Sequence, residues 1–103
     1  MTTHLWTWSG KDFGDRDGDE LWTYDGRHVG RFHGRNVFAS NGRYLGELRG
    51  DDRLITRNGK PPRPRSPFTP LPARPARPRF RGFGSGLVAL ASFTDFPAPE
   101  ELR

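Results

Sequence analysis

The sequence predicts an all-β fold of four β-hairpin repeats in a meander, followed by a Pro/Arg-rich disordered tail. Three observations carry that expectation. Residues 5–20 ("LWTWSGKDFGDRDGDE"), 21–36 ("LWTYDGRHVGRFHGRN") and 37–52 ("VFASNGRYLGELRGDD") align without a gap. Glycines recur at 10, 18, 26, 34, 42, 50 and 59, every eight residues with one extra before the last. The intervals hold short β-prone runs, and turn signals at that spacing read as strands joined in sequence. Such repeats cannot bury a face alone and have to pack on one another, as four hairpins set about an axis or as a small up-and-down barrel.

The turns alternate in kind. Ser9-Gly10, Asp25-Gly26, Asn41-Gly42 and Asn58-Gly59 are expected as two-residue hairpin loops, because such loops need positive φ. The segments "DGDE", "HGRN" and "RGDDR" are expected as longer links between hairpins. The extra residue sits in the last of these, where a surface loop absorbs it cheaply. Inside a strand it would turn every side chain to the other face. Closure on two residues places Trp6 opposite Phe13, Trp22 opposite Val29, Phe38 opposite Leu45 and Ile55 opposite Pro62. On the other face Leu5, Leu21 and Val37 stand opposite Gly14, Gly30 and Gly46. A glycine recurring inside a strand implies a close approach, such as a neighbouring aromatic ring. Phe32 and Leu48 share that face, and the pattern leaves open which face is core. The fourth unit is incomplete: "LITRNGK" (54–60) supplies a strand and a turn, then "PPRPR" follows. Proline cannot donate to a ladder, so the eighth strand is expected to be missing or ragged.

The W/Y-x-x-D/N-G-R-x-hydrophobic-Gly pattern, seen in "LWTYDGRHVGRF" and "VFASNGRYLGEL", resembles the small bacterial proteins called 4-fold β-flower proteins. The resemblance covers roughly residues 4–60. It implies four β-hairpins in pseudo-fourfold order, with a Pro/Arg-rich C-terminal extension such as "PARPARPRF", and it implies no activity. The chain departs from it at Lys60–Arg63, where proline replaces the expected last strand.

Three segments follow from this reading: a hairpin domain at 4–60, a Pro/Arg-rich arm at 61–81 and a weakly apolar segment at 82–103. The arm holds eight Pro and six Arg, a density that imposes extended polyproline II and blocks helix and sheet. Residues 82–103 either dock on the domain or stay loose. The net charge of +5 is unevenly spread: residues 1–52 hold seven basic and nine acidic residues, and residues 53–81 hold nine basic and none acidic. Cysteine is absent, which excludes disulfides and thiolate metal sites and fits a cytoplasmic protein. The start has no basic n-region with an apolar run behind it, so no signal peptide is expected. "GLVALASF" (86–93) is far short of the roughly 20 residues that span a membrane.

Few residues suggest chemistry. "DRDGDE" (15–20) groups four carboxylates around a glycine, but its twelfth loop position is Gly26, where a calcium loop needs a chelating Glu. His28 and His33 have no third or fourth metal ligand in register and do not recur between repeats, so both are expected as exposed histidines. "DFG" (12–14) lacks the other kinase motifs, and "RGD" (49–51) falls in a turn that is Gly-rich in every repeat. No nucleophile has a base beside it. No enzyme, catalytic residue, cofactor or metal is expected.

What remains is binding. Trp8 and Tyr24, beside the turns, form a candidate exposed aromatic platform for carbohydrate. Arg63, Arg65, Arg74, Arg77, Arg79 and Arg81 are candidate nucleic-acid contacts, acting on phosphates by counterion release. "PARPAR" (72–77) also fits a P-x-x-P-x-Arg ligand. The leading expectation is a non-enzymatic interaction or scaffold module with an unknown protein partner. Nucleic-acid association through the arm is the alternative, and carbohydrate binding comes third.

Overall fold

A computed structural model describes residues 2–79, 88 and 90–102. Eight strands follow in order: β1 (Thr2–Thr7), β2 (Asp12–Asp17), β3 (Glu20–Thr23), β4 (His28–His33), β5 (Asn36–Phe38), β6 (Tyr44–Arg49), β7 (Arg53–Arg57) and β8 (Phe93–Asp95). Each pairs antiparallel with the next. A parallel pairing of β1 with β7, Trp6 to Arg53 and Thr7 to Leu54, closes the first seven into a barrel. A short 3₁₀ turn, Pro99–Leu102, ends the chain's described part. No helix among the described residues is long and apolar enough to cross a membrane.

The repeat fills the barrel. Leu5, Leu21, Val37 and Leu54 occupy the same position in the four units and are fully buried. The expected partners are met: Leu5 faces Gly14, Leu21 faces Gly30 and Val37 faces Gly46. With Phe13, Phe32, Leu48 and Phe96 these side chains form one core, so the Leu/Gly face is the inside. The close approach expected over the strand glycines is present. A Cβ on Gly46 would lie 2.6 Å from the Phe96 ring and 2.5 Å from the Ile55 carbonyl.

Nearer the hairpin ends the register differs from the expectation. Trp22 faces His28, Phe38 faces Tyr44 and Trp6 faces Asp12. The loops there hold three residues. In the second hairpin Gly26 N–H donates to Thr23 O (3.0 Å) and Thr23 N–H donates to Arg27 O (2.9 Å). Only the glycine takes positive φ: Gly10, Gly26 and Gly42 lie at 86–95°. That is the three-residue hairpin, a type I turn followed by one left-handed residue. A bulge then lets Phe13, Val29 and Leu45 slip out of pairing, which restores the Leu–Gly register beyond it. The links expected to be longer are the tight ones. Asp17 pairs directly with Glu20 and His33 with Asn36 across two-residue turns. The extra residue lies in the third, between Arg49 and Arg53.

The missing strand comes from the far end of the chain. β8 lines up on β7 with Ile55 opposite Asp95, Thr56 opposite Thr94 and Arg57 opposite Phe93. Ile55 therefore meets Asp95 where Pro62 was expected. Phe96, just after β8, enters the core and meets Phe13 edge to face, with centroids 5.2 Å apart. Of residues 82–103, the part from β8 onward is docked on the barrel.

Candidate interaction surface at the hairpin ends

The first two hairpin ends are built the same way. The buried Thr7 and Thr23 hydroxyls accept from the N–H of Lys11 and Arg27, both at 3.1 Å. In the third hairpin Ala39 has no hydroxyl, and Asn41 Oδ1 accepts from Arg43 N–H instead (3.0 Å). Asp25 accepts a short hydrogen bond from the Thr23 hydroxyl and an ion-paired one from Arg27 Nε (3.1 Å). Burial alone would raise the Asp25 carboxyl, but those two bonds outweigh it and hold it below the usual carboxylate value. The residue after each turn glycine is a cation: Lys11, Arg27, Arg43 and Lys60.

The tail is extended, as its prolines require, and it lies along these ends. Arg65 N–H donates to Gly42 O (2.9 Å) and Phe68 N–H to Ser40 O (2.9 Å). Arg74 N–H donates to Gly26 O (2.8 Å) and Arg77 N–H to Tyr24 O (2.9 Å). The two pairs are alike: residues three apart on the tail reach the turn glycine and the residue two before it. The backbone at Arg65 and Arg74 passes so close to Gly42 and Gly26 that a Cβ on either glycine would collide with it. Beyond, Val88 O accepts from Trp8 Nε1 (2.8 Å), and β8 returns to β7. The tail thus visits the third, second and first hairpins in turn and closes on the fourth.

Polar anchors fix the tail's position. Asp12 is 1 % exposed. Arg77 grips it with both terminal nitrogens (2.7 and 2.8 Å) and reaches Asp15 through Nε (3.2 Å). The bond to Asp12, and then Asp15, raises the already high pKa of Arg77 against the burial that would lower it. His4 Nε2 also meets Asp12 (2.7 Å). One repeat later the pair is inverted: His28 Nε2 meets Glu20 at 2.6 Å. Leu71 N–H donates to His28 Nδ1 (2.8 Å), so that nitrogen is bare and Nε2 carries the proton. His28 is buried, contrary to the exposed position expected; Trp22 and Phe68 flank its ring. The third residue of the series, Tyr44, bonds Glu47 (3.3 Å), and burial raises its phenol.

The candidate contacts divide by occupation. Arg74 pairs with Asp17 (2.7 Å) and lies 3.8 Å over the Trp22 ring. Arg77 holds Asp12, and Arg79 pairs with Glu100 (3.2 Å). Arg81 lies outside the described residues. Arg63 and Arg65 are exposed, and their side chains have no hydrogen bond or ion pair among the described residues. Arg77 is also the arginine of the P-x-x-P-x-Arg pattern, so that ligand's charged end is turned inward. Tyr24 donates to Glu100 (2.6 Å), a bond that raises its phenol, and Arg79 stacks 5.2 Å over its ring. Trp8 binds Val88, so the tail touches both members of the aromatic platform. Trp22 and Phe38 are 3 % and 4 % exposed on the outer face. Among the described residues no group of three or more His, Asp or Glu is placed to hold a metal ion.

Sequence reasoning missed Asp12 and His28 as tail anchors, and Glu20 as the partner of His28. Positions 12, 28 and 44 are polar in the first three repeats, but the predicted two-residue closure set them opposite Thr7, Thr23 and Ala39 and so hid their contacts.

A family model described as 4-fold beta flower protein matches residues 1–96, so the match runs past the fourth hairpin to the core phenylalanine beyond β8. No curated protein and no solved structure matches.

Proposed function

The chain belongs to the 4-fold beta flower family, and from that fold we propose a non-enzymatic interaction module that takes a partner protein on its hairpin ends. One observation supports this most. Residues 39–44 and 58–72 contain no carboxylate, and the Arg65–Gly42 hydrogen bond joins the two segments. Arg43, Lys60, Arg63 and Arg65 are exposed there, with no ion pair among the described residues. A cationic face on a clamped frame suits an acidic partner surface, which it would steer and orient.

The same four cations favour nucleic-acid association as a second reading, confined to the start of the arm. The test is the variant R43Q/K60Q/R63Q/R65Q in the full chain. The first reading expects capture of a nuclease-resistant protein partner that the variant loses. The second expects binding to DNA or RNA that weakens with salt, at a slope of about −0.9 per phosphate contact, and flattens in the variant. Wild-type behaviour by the variant in both assays removes both readings.

A further inference from the structure

A cleft of about 440 Å³ opens between the end of β4 and the first part of the tail. We propose that it binds a small organic phosphate monoester with a compact apolar body. Its lining includes the guanidinium groups of Arg31 from β4 and Arg65 from the tail and the imidazole of His33, with no carboxylate among the lining residues. Ser66 adds a hydroxyl, and Phe38 and Phe68 add apolar wall.

Arg31 carries the assignment. Its guanidinium is positioned by two contacts that leave its far edge unused. Glu20 accepts from Nε alone (2.8 and 3.3 Å), and the Phe68 ring lies 4.4 Å beneath the group, fixing its plane. Nη1 and Nη2 have no hydrogen-bond partner among the described residues. A fixed fork of two donors matches two oxygens of one phosphate, which a lysine's point charge does not. Tail prolines close part of the cleft and lower the local dielectric, so a charge contact there counts for more than on open surface. The volume lies at the small-ligand end of the usual range and is larger than inorganic phosphate requires. The ligand should therefore carry an apolar group against Phe38 and Phe68. Arg65 is shared with the hairpin-end patch, but the assignment rests on Arg31 and His33, which lie outside that patch, so the site does not depend on the interaction reading.

The test is a titration of the full chain with phenyl phosphate, inorganic phosphate and phenol, followed by backbone amide shifts. Saturable binding of phenyl phosphate is expected, on the order of 1 mM or tighter, with shifts at residues 31–33 and 64–68. Inorganic phosphate should bind about tenfold more weakly and phenol not at all. Arg31→Lys keeps the charge and loses the fork, and should weaken phenyl phosphate about tenfold. His33→Gln, at an exposed position, should weaken it with the fold intact. Lys60→Gln and Arg63→Gln should leave it unchanged. Equal binding of phosphate and phenyl phosphate, shifts confined to residues 40–43 and 58–63, or full affinity in Arg31→Lys each overturn the proposal.

Discussion

Cutting the chain after Lys60 removes the whole arm and leaves the predicted 4–60 hairpin domain in place. The structure expects the remaining fragment not to fold. Phe96 is 3 % exposed, meets Phe13 and lies over Gly46. Losing such a ring costs about 3–5 kcal/mol. Asp12 keeps His4 but loses Arg77. Removing one partner of a buried pair costs about 3–5 kcal/mol, and the remaining His4 bond places this case at the lower end. β7 loses β8, and Trp22 loses the guanidinium that covers it. Taken together these approach the whole stability of a domain this size, about 5–15 kcal/mol. Circular dichroism and amide dispersion of residues 1–60 decide the matter against the full chain. A cooperative melt within a few degrees of the full chain, with dispersed amides, would refute the reasoning and restore a self-sufficient 4–60 domain. Partner or nucleic-acid assays on residues 1–60 would compare a folded protein with an unfolded one, so point variants are the sound comparison.

Other outcomes follow from single residues. Arg77→Gln should destabilise by about 2–3 kcal/mol in urea, while Arg63→Gln should change stability by less than about 0.5 kcal/mol; equal midpoints would mean that the tail is not seated on Asp12. Gly46→Val should cost at least about 1–3 kcal/mol despite its strand propensity, because the side chain meets the Phe96 ring and the Ile55 carbonyl; a Tm at or above wild type contradicts this. Asp25 has a lowered folded pKa, so its stabilisation is complete above the unfolded value near 3.8 and is lost as pH falls through the folded value. Asp25→Asn should therefore lower the melting temperature at neutral pH and flatten its fall below about pH 4; an unchanged acid limb denies Asp25 that role.

Much of the barrel was legible in residue spacing. The period located the turns, the Leu–Gly pairs and the loop that absorbs the extra residue. The register beside the turns was not legible, because an Asp-Gly or Asn-Gly pair serves two loop types. Two positive-φ residues give a two-residue loop, and one gives a three-residue loop with a left-handed glycine. In the first two hairpins the three-residue loop is supported by Thr7 and Thr23, whose hydroxyls accept from the residue after the glycine, and in the third Asn41 Oδ1 accepts that N–H instead. The threonine bond is a local one that could have been sought at the position before the first two turns. β8 was hidden for a different reason. "FTD" is too short to declare itself as a strand, and its partner lies more than thirty residues away. Only the unpaired edge left by Pro61 and Pro62 hinted that another segment had to supply it.

The cationic arm shows most clearly where composition stops informing. Its charge and proline content describe an extended polycation equally free at every arginine. Its seat is set by differences among repeats that the common pattern conceals. At the bulge, the first three repeats carry Asp12, His28 and Tyr44. The tail offers a guanidinium to the first and a backbone N–H to the second. The third turns instead to Glu47 and to the backbone N–H of Arg57. Shifting the tail by one repeat would bring Arg77 to the His28 imidazole in place of a carboxylate, and would leave Asp12 buried with only His4. A buried carboxylate so deprived carries a cost of several kcal/mol, so the quasi-fourfold frame accepts its tail in one register. That fixed register pairs Arg74, Arg77 and Arg79 with carboxylates and leaves Arg63 and Arg65 facing outward without an ion pair among the described residues. The surface open to a partner follows from the frame's broken symmetry, and the total charge of the arm does not reveal it.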